Sequence, residues 1–117
     1  MSMNPESDEP TVTTVRPKPR QESQAKQLPP YHVIILNDEL HSIEFVIHVL
    51  REVFKFSIEQ AVLYTMEAHH KGRAIVWTGS KEVAELKAEQ IATFHETRQQ
   101  DGLKLGPVGC VIEPAPG

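Results

Sequence analysis

The hydrophobic positions of the chain follow first a strand pattern and then a helix pattern. A β-branched run over 33–36 begins after two prolines and stops at the turn-favouring residues 37–39, so it predicts a buried strand and a polar loop. After Ser42, a candidate N-cap, apolar residues recur at spacings of three and four, which predicts an amphipathic helix over 43–55. Residues 57–72 keep this period between a capping serine and a helix-ending glycine, so a second helix follows.

The second half of the chain predicts a strand, a helix and a last strand. Residues 73–78 have strand composition, and a helical stripe that begins after Ser80 fades near 99–102. Residues 109–113 predict the last strand, which prolines terminate. Since three strands are too few to close a barrel, this order predicts an α+β domain: a three-stranded antiparallel sheet with three helices packed on one face.

Residues 1–30 differ from the rest of the chain in composition. They hold six of the nine prolines and no aromatic residue, and their acidic and basic side chains balance. Such a segment cannot bury enough apolar surface to offset a backbone entropy of about 1–2 kcal/mol per ordered residue. We therefore expect a disordered N-terminal extension over 1–30 and a folded core domain over 31–117.

Composition and charge narrow the class of partner. Twelve basic and 16 acidic residues give a net charge of −4, which argues against a nucleic-acid binder and favours a protein or peptide partner. No apolar run approaches the roughly 18 residues of a membrane span, and the N-terminus lacks a signal-peptide pattern. We expect a cytoplasmic protein without membrane contacts, and nothing in the sequence demands more than a monomer.

Acidic and histidine residues cluster at 37–41 and at 67–70, a pattern that metal and acid–base sites share. However, adjacent His69 and His70 on one helix point about 100° apart, and no HExxH motif or cysteine pair supplies further ligands. We therefore expect no metal and no cofactor. We also expect no enzymatic activity, because the chain lacks nucleophile motifs and the single Cys110 falls in a predicted strand.

The same polar residues suit the recognition of a charged chain end. An amide oxygen and an imidazole nitrogen can accept hydrogen bonds from an ammonium group, and a carboxylate adds charge. Asn37 and Asp38 follow the first strand, and His69 lies near the end of the second helix, so side-by-side packing would bring the three together. The alternative is a capping Asn-Asp turn and an unrelated exposed histidine, and spacing alone leaves both open.

Four blocks of sequence resemble one known family. In one-letter code they are VIILNDE at 33–39, EFVIHVL at 44–50, AHHKGRA at 68–74 and EVAELK at 82–87. In this order and at these distances they resemble the ClpS family of adaptors for the ClpAP-type AAA+ protease, over about residues 31–113. The resemblance implies an adaptor that binds proteins with a bulky hydrophobic N-terminal residue, an N-degron, and delivers them to a Clp unfoldase for degradation.

The resemblance also implies roles for individual residues. Asn37 and His69 match the pair that holds the free α-amino group, and Asp38 matches the residue that contacts the backbone just after it. The pocket for the first side chain is implied at five positions: Ile43, Val46, Thr65, Ala68 and Val108. Peptide recognition is therefore expected to combine polar contacts to the α-amino group and the adjoining backbone with burial of the first side chain in an apolar pocket.

A second implied surface contacts the unfoldase. Glu82 and Lys87 match the family's docking surface for the N-terminal domain of a ClpA- or ClpC-type unfoldase, and residues 1–30 match an extension that engages the unfoldase during hand-over. Two other functions stay open: an interaction module of the same fold that scaffolds an assembly through its third helix, and a small metal-dependent enzyme.

The chain departs from the family pattern around the implied pocket. The family usually has Thr where His41 stands, Met where Ile43 stands, and often a larger apolar residue where Thr65 stands. Thr65 and Val108 make the pocket floor less apolar, and the branched Ile43 stiffens its rim. We expect His41, four residues after Asn37, to border the pocket.

Overall fold

The computed structural model describes residues 28–116. Its elements follow the order strand, helix, helix, strand, helix, strand, which confirms the predicted α+β fold. They are β1 (Tyr31–Leu36), α1 (Ile43–Phe54), α2 (Ile58–Lys71), β2 (Arg73–Gly79), α3 (Lys81–Ala92) and β3 (Cys110–Pro114). The extension predicted for residues 1–30 lies outside the described residues, apart from its last three.

The central strand β1 pairs antiparallel with β2 on one side and with β3 on the other. Ile35, for example, lies opposite Ala74 and Cys110, and a bulge shifts the register against β2 between Val33 and Ile34. Val33, Ile34 and Ile35 in the middle of β1 are at most 1% exposed, although successive side chains of a strand point to opposite faces of the sheet. Because both faces of β1 are buried here, its sequence is a continuous apolar run and not an alternating one.

The carboxyl end of β1 is held from both sides. The backbone N–H of Leu36 donates to the carbonyl of Gly109 at 3.0 Å, and that of Asn37 donates to the carbonyl of Gly72 at 3.0 Å. The first of these bonds joins the strand to the residue before β3, and the second joins it to the end of α2. The loop after β1 therefore starts from a fixed point.

Each helix begins at a serine, as the sequence predicts. The hydroxyls of Ser42, Ser57 and Ser80 accept hydrogen bonds from the backbone N–H three residues later. The helices α1 and α2 end at residues in the left-handed conformation, Lys55 with φ 60° and Gly72 with φ 93°. A side chain is strained at such a φ, so glycine suits the sharp turn between α2 and β2.

The hydrophobic core lies between the three helices and the sheet face that they cover. Its largest buried side chains are Val33, Ile35, Val49, Leu50 and Ile91. Within residues 28–116, Thr65 is the only buried residue with a polar side chain. No helix in this part of the chain is long and apolar enough to cross a membrane.

The third helix is shorter than the sequence pattern predicts. It ends at Ala92, whereas the apolar stripe suggested a helix that fades near 99–102. The hydroxyl of Thr93 donates to a carbonyl of the last turn at 2.7 Å and closes the helix. Phe94 continues the apolar stripe but packs against the core from beyond the helix end. Residues 94–109 then form the irregular connection that leads to β3.

Candidate functional site

A small cavity opens at the carboxyl end of β1, where the loop after β1 meets α1 and α2. Its volume is about 130 Å³, and we call it the strand-end cavity. The residues that line it are Ile35, Leu36, Asn37, Asp38, Glu39, His41, Ile43, Val46, Thr65, Ala68 and His69. The structure thus brings together eight of the residues that the sequence analysis singled out, from two separate stretches of the chain, 37–46 and 65–69.

The polar side of the cavity is built by the junction between β1 and α2. Asn37 is the first residue after β1, and its backbone bond to Gly72 places it beside the last turn of α2, which carries His69. Asn37 and His69 are both exposed, so their side chains are accessible to a ligand. Asn37 and His69 therefore reach the same cavity through the turn at Gly72 and the backbone hydrogen bond between Asn37 and Gly72.

Asp38 is fixed by the loop that it begins. Its Oδ1 accepts the backbone N–H groups of Leu40 at 2.9 Å and of His41 at 2.8 Å, and its Oδ2 lies 2.9 Å from His41 Nδ1. Burial of the carboxyl raises its pKa, but the hydrogen bonds from His41 and Leu40 outweigh this effect, and the net pKa is lowered. Asp38 is therefore a carboxylate at neutral pH, and it holds a negative charge at the rim of the cavity.

The apolar side of the cavity comes from facing positions on α1 and α2. Ile43 is 38% exposed at the mouth, Val46 is partly buried, and Thr65 and Ala68 are 4% and 3% exposed. The hydroxyl of Thr65 is buried and has no hydrogen-bond partner among residues 28–116. The cavity can therefore take up an apolar side chain, but one polar atom remains in its wall.

Three predicted site residues do not line the strand-end cavity. Val108 is 3% exposed and belongs to the core, so its role in the pocket stays a prediction. Glu82 is exposed in the first turn of α3. Lys87 donates from Nζ to the carbonyl of Val53 at 3.0 Å and lies over the ring of Phe54, so part of its role is to fasten α3 to α1.

Three lining residues, Ile35, Leu36 and Glu39, are not among the predicted site residues. Their sequence pattern indicates only a strand for Ile35 and Leu36 and a turn for Glu39. The available signal was their position directly beside Asn37 and Asp38, since a cavity at a strand end is bordered by the residues on both sides of that end. In the described part of the chain, no three metal-ligating side chains converge.

Comparison with known proteins identifies the family. The family model for the ATP-dependent Clp protease adaptor protein ClpS matches residues 26–106. The ATP-dependent Clp protease adapter protein ClpS of Roseobacter denitrificans is 34% identical over 113 residues, covering 97% of this chain and 91% of that protein. The Neisseria gonorrhoeae protein of the same name is 33% identical over 88 residues, covering 74% of this chain and 79% of its own length.

A solved structure has the same fold. Agrobacterium tumefaciens ClpS2 bound to L-phenylalaninamide superposes with a TM-score of 0.62 and 29% sequence identity, over 76% of this chain and 100% of that one. Fold, motif order and sequence similarity agree along the described part of the chain. The chain belongs to the ClpS family of adaptor proteins for the ATP-dependent Clp protease.

Proposed function

We propose that this protein is an adaptor that captures proteins with a bulky hydrophobic N-terminal residue and delivers them to a Clp unfoldase. The observation that carries the proposal is the strand-end cavity, where Asn37, Asp38 and His69 meet beside an apolar hollow. The ligand of the Agrobacterium relative, L-phenylalaninamide, has the two matching parts: a free α-amino group and a bulky apolar side chain.

The polar residues account for recognition of the α-amino group. The Asn37 amide oxygen and a His69 ring nitrogen can each accept a hydrogen bond from an ammonium group, and the Asp38 carboxylate supplies the opposite charge. Each charge-assisted hydrogen bond contributes roughly 1.5–3 kcal/mol before the cost of ordering the peptide. Acetylation of the N-terminus removes the positive charge and two of the donors, so an acetylated chain lacks this contribution.

The apolar residues account for recognition of the first side chain. Ile43 at the mouth and Val46 and Ala68 inside offer a surface on which a leucine or phenylalanine side chain can be buried. Such burial contributes roughly 1.5–3 kcal/mol. Micromolar binding corresponds to about 8 kcal/mol, so neither the amino group nor the side chain is sufficient alone.

The proposed partner on the other side is the N-terminal domain of a ClpA- or ClpC-type unfoldase. Its docking surface would include Glu82 and Lys87 on α3, and neither residue lines the strand-end cavity. This separation lets the adaptor hold a substrate and an unfoldase at the same time.

The test compares two peptides that begin with phenylalanine and differ only in an acetyl group on the α-amine. We expect fluorescence anisotropy to show binding of the free peptide and an affinity at least about tenfold lower for the acetylated one. Asp38→Asn should weaken binding of the free peptide. Asp101→Asn is the matched control, because Asp101 is exposed and pairs with Arg98 away from the cavity. Equal affinity for the two peptides would contradict the proposal.

A further inference from the structure

His41 is a partly exposed residue with an enclosed side chain, and it lies in a loop that borders the strand-end cavity. Its side chain is only 3% exposed, and its ring stacks on Phe45 with the centroids 5.6 Å apart and the planes 18° from parallel. A polar ring that is enclosed in this way needs hydrogen-bond partners for its nitrogens.

Both ring nitrogens of His41 face hydrogen-bond acceptors. Nδ1 lies 2.9 Å from Asp38 Oδ2, and Nε2 lies 2.7 Å from the carbonyl oxygen of Gly106. A neutral imidazole carries one N–H, so either tautomer would leave a nitrogen lone pair against an acceptor oxygen. The imidazolium carries two N–H groups and satisfies both partners. The geometry therefore matches the protonated ring.

The two acceptors belong to distant parts of the chain. Asp38 lies in the loop that carries the proposed ammonium-binding residues, and Gly106 lies in the connection between α3 and β3, two residues before Val108. Within the same connection, the ring of His95 bonds through Nδ1 to the Leu105 carbonyl at 2.9 Å. Two side chains tie the loop over 37–42 to this connection: His41 through the Gly106 carbonyl, and Glu96, whose carboxylate accepts the backbone N–H of Ser42 at 2.9 Å.

Other ionisable groups surround His41 from the elements packed around it. Some of them line the strand-end cavity together with the ring, and others line the adjoining groove between 40–44 and 96–100. One, His95, bonds the carbonyl of Leu105, next to Gly106. These groups are Glu39, Glu44, His69, His95, Glu96 and Arg98. With Asp38, the carboxylates in this set outnumber its one permanent cation, Arg98, so the surroundings of the ring carry a net negative charge.

We infer that His41 acts as a protonated latch: its imidazolium joins Asp38 to the Gly106 carbonyl and so positions Asp38 for the ligand. His41 is thus a positioning residue, and its effect on peptide binding rests on the proposed function. As the pH rises and the ring loses a proton, one of the two bonds becomes an acceptor–acceptor contact and the latch opens. Histidine side chains in general change charge between about pH 5 and 8, which is the range over which the latch is tested.

The first test reads the ring directly, without a peptide. Nitrogen NMR of the full-length protein should show both His41 ring nitrogens protonated at pH 6. The backbone amide signals of Asn37 and Val108 should shift with the same midpoint as the His41 ring when the pH is raised to 8. A neutral His41 ring at pH 6 would overturn the latch, and so would amide signals that stay fixed while the ring titrates.

The second test reads the effect on binding. The α-amino group of a peptide also titrates, near pH 7.7–8.0, so the useful quantity is the ratio of wild-type affinity to His41→Gln affinity at each pH. The side-chain amide of glutamine does not change its protonation over this pH range, so its hydrogen-bond donors stay constant. We expect this ratio to fall about tenfold between pH 6 and pH 8 for a peptide with a free N-terminal phenylalanine.

The matched control is His95→Gln. His95 bonds the neighbouring carbonyl through one nitrogen only, which a neutral ring satisfies, so this variant should keep the pH dependence of the wild type. A wild-type to His41→Gln ratio that is the same at both pH values would overturn the latch. Equal binding of free and acetylated peptides would instead refute the receptor function, and the NMR titration would still decide the state of His41.

Discussion

At the scale of single residues, the strand-end cavity contains one atom that does not suit an apolar pocket. The Thr65 hydroxyl is buried without a hydrogen-bond partner in residues 28–116, and a buried unpaired hydroxyl costs roughly 1–3 kcal/mol. Valine has nearly the same shape and no polar group. We therefore expect Thr65→Val to raise the free energy of unfolding by about 1 kcal/mol, measured by urea denaturation.

Thr93→Val provides the matched control for this substitution. The Thr93 hydroxyl donates to the Gln90 carbonyl at 2.7 Å, so removal of this hydroxyl should not stabilise the protein. A Thr65→Val variant that is less stable than the wild type would mean that the hydroxyl has a favourable partner.

The charge of Asp38 gives a second prediction at this scale. Its pKa is lower in the folded protein than the ordinary value of 3.8, so the ionised group stabilises the fold above that value, and this contribution disappears as the pH falls through the folded pKa. Asp38→Asn should therefore be less stable than the wild type at pH 7, and the difference should shrink below about pH 4. Urea denaturation from pH 3 to pH 7 measures it, and a difference that grows towards low pH would contradict this assignment.

At the scale of elements, α3 carries the proposed docking surface. Glu82 stands exposed in its first turn, where an acidic residue also interacts favourably with the helix dipole. We expect Glu82→Lys to weaken binding to the N-terminal domain of a ClpA- or ClpC-type unfoldase at least about fivefold, while the affinity for the free peptide stays unchanged.

Glu59→Lys is the control that distinguishes a loss of unfoldase docking from a loss of helix stability. Glu59 occupies the same first-turn position on α2, so the two substitutions disturb a helix dipole equally. Unfoldase binding that is lost in both variants would point to a general effect of charge or stability. Wild-type binding by Glu82→Lys would remove Glu82 from the docking surface.

The elements also show which parts of the structure a sequence pattern can predict. The three serine caps and the buried strand β1 follow from local preferences, because a cap or an apolar run needs only its neighbours in the chain. The end of α3 was misplaced because the period of apolar residues does not reveal that Phe94 reaches the core from a loop. Residues 94–109 have no period at all, yet they supply the Gly106 carbonyl that His41 contacts.

At the scale of the whole molecule, the candidate site depends on contacts between distant residues. Asn37 and His69 line the same cavity, and the bond from the Asn37 N–H to Gly72 holds the end of β1 beside the end of α2, a pairing that no local spacing encodes. The family resemblance supplied the roles expected of the site residues, and the structure then showed how eight of them share one cavity. The pair of hydrogen bonds made by His41 could not be foreseen. One acceptor, Asp38, is three residues away, but the other, the Gly106 carbonyl, is 65 residues away in the chain.

The two backbone bonds that fasten the end of β1 have a consequence for how fast a peptide is captured and released. A recognition loop that starts from a fixed anchor needs little rearrangement on encounter, so the association rate should depend mainly on diffusion and orientation. Peptides with different first side chains will then differ chiefly in residence time. For an adaptor, this residence time sets how long the unfoldase has to bind the substrate before the substrate dissociates from the adaptor.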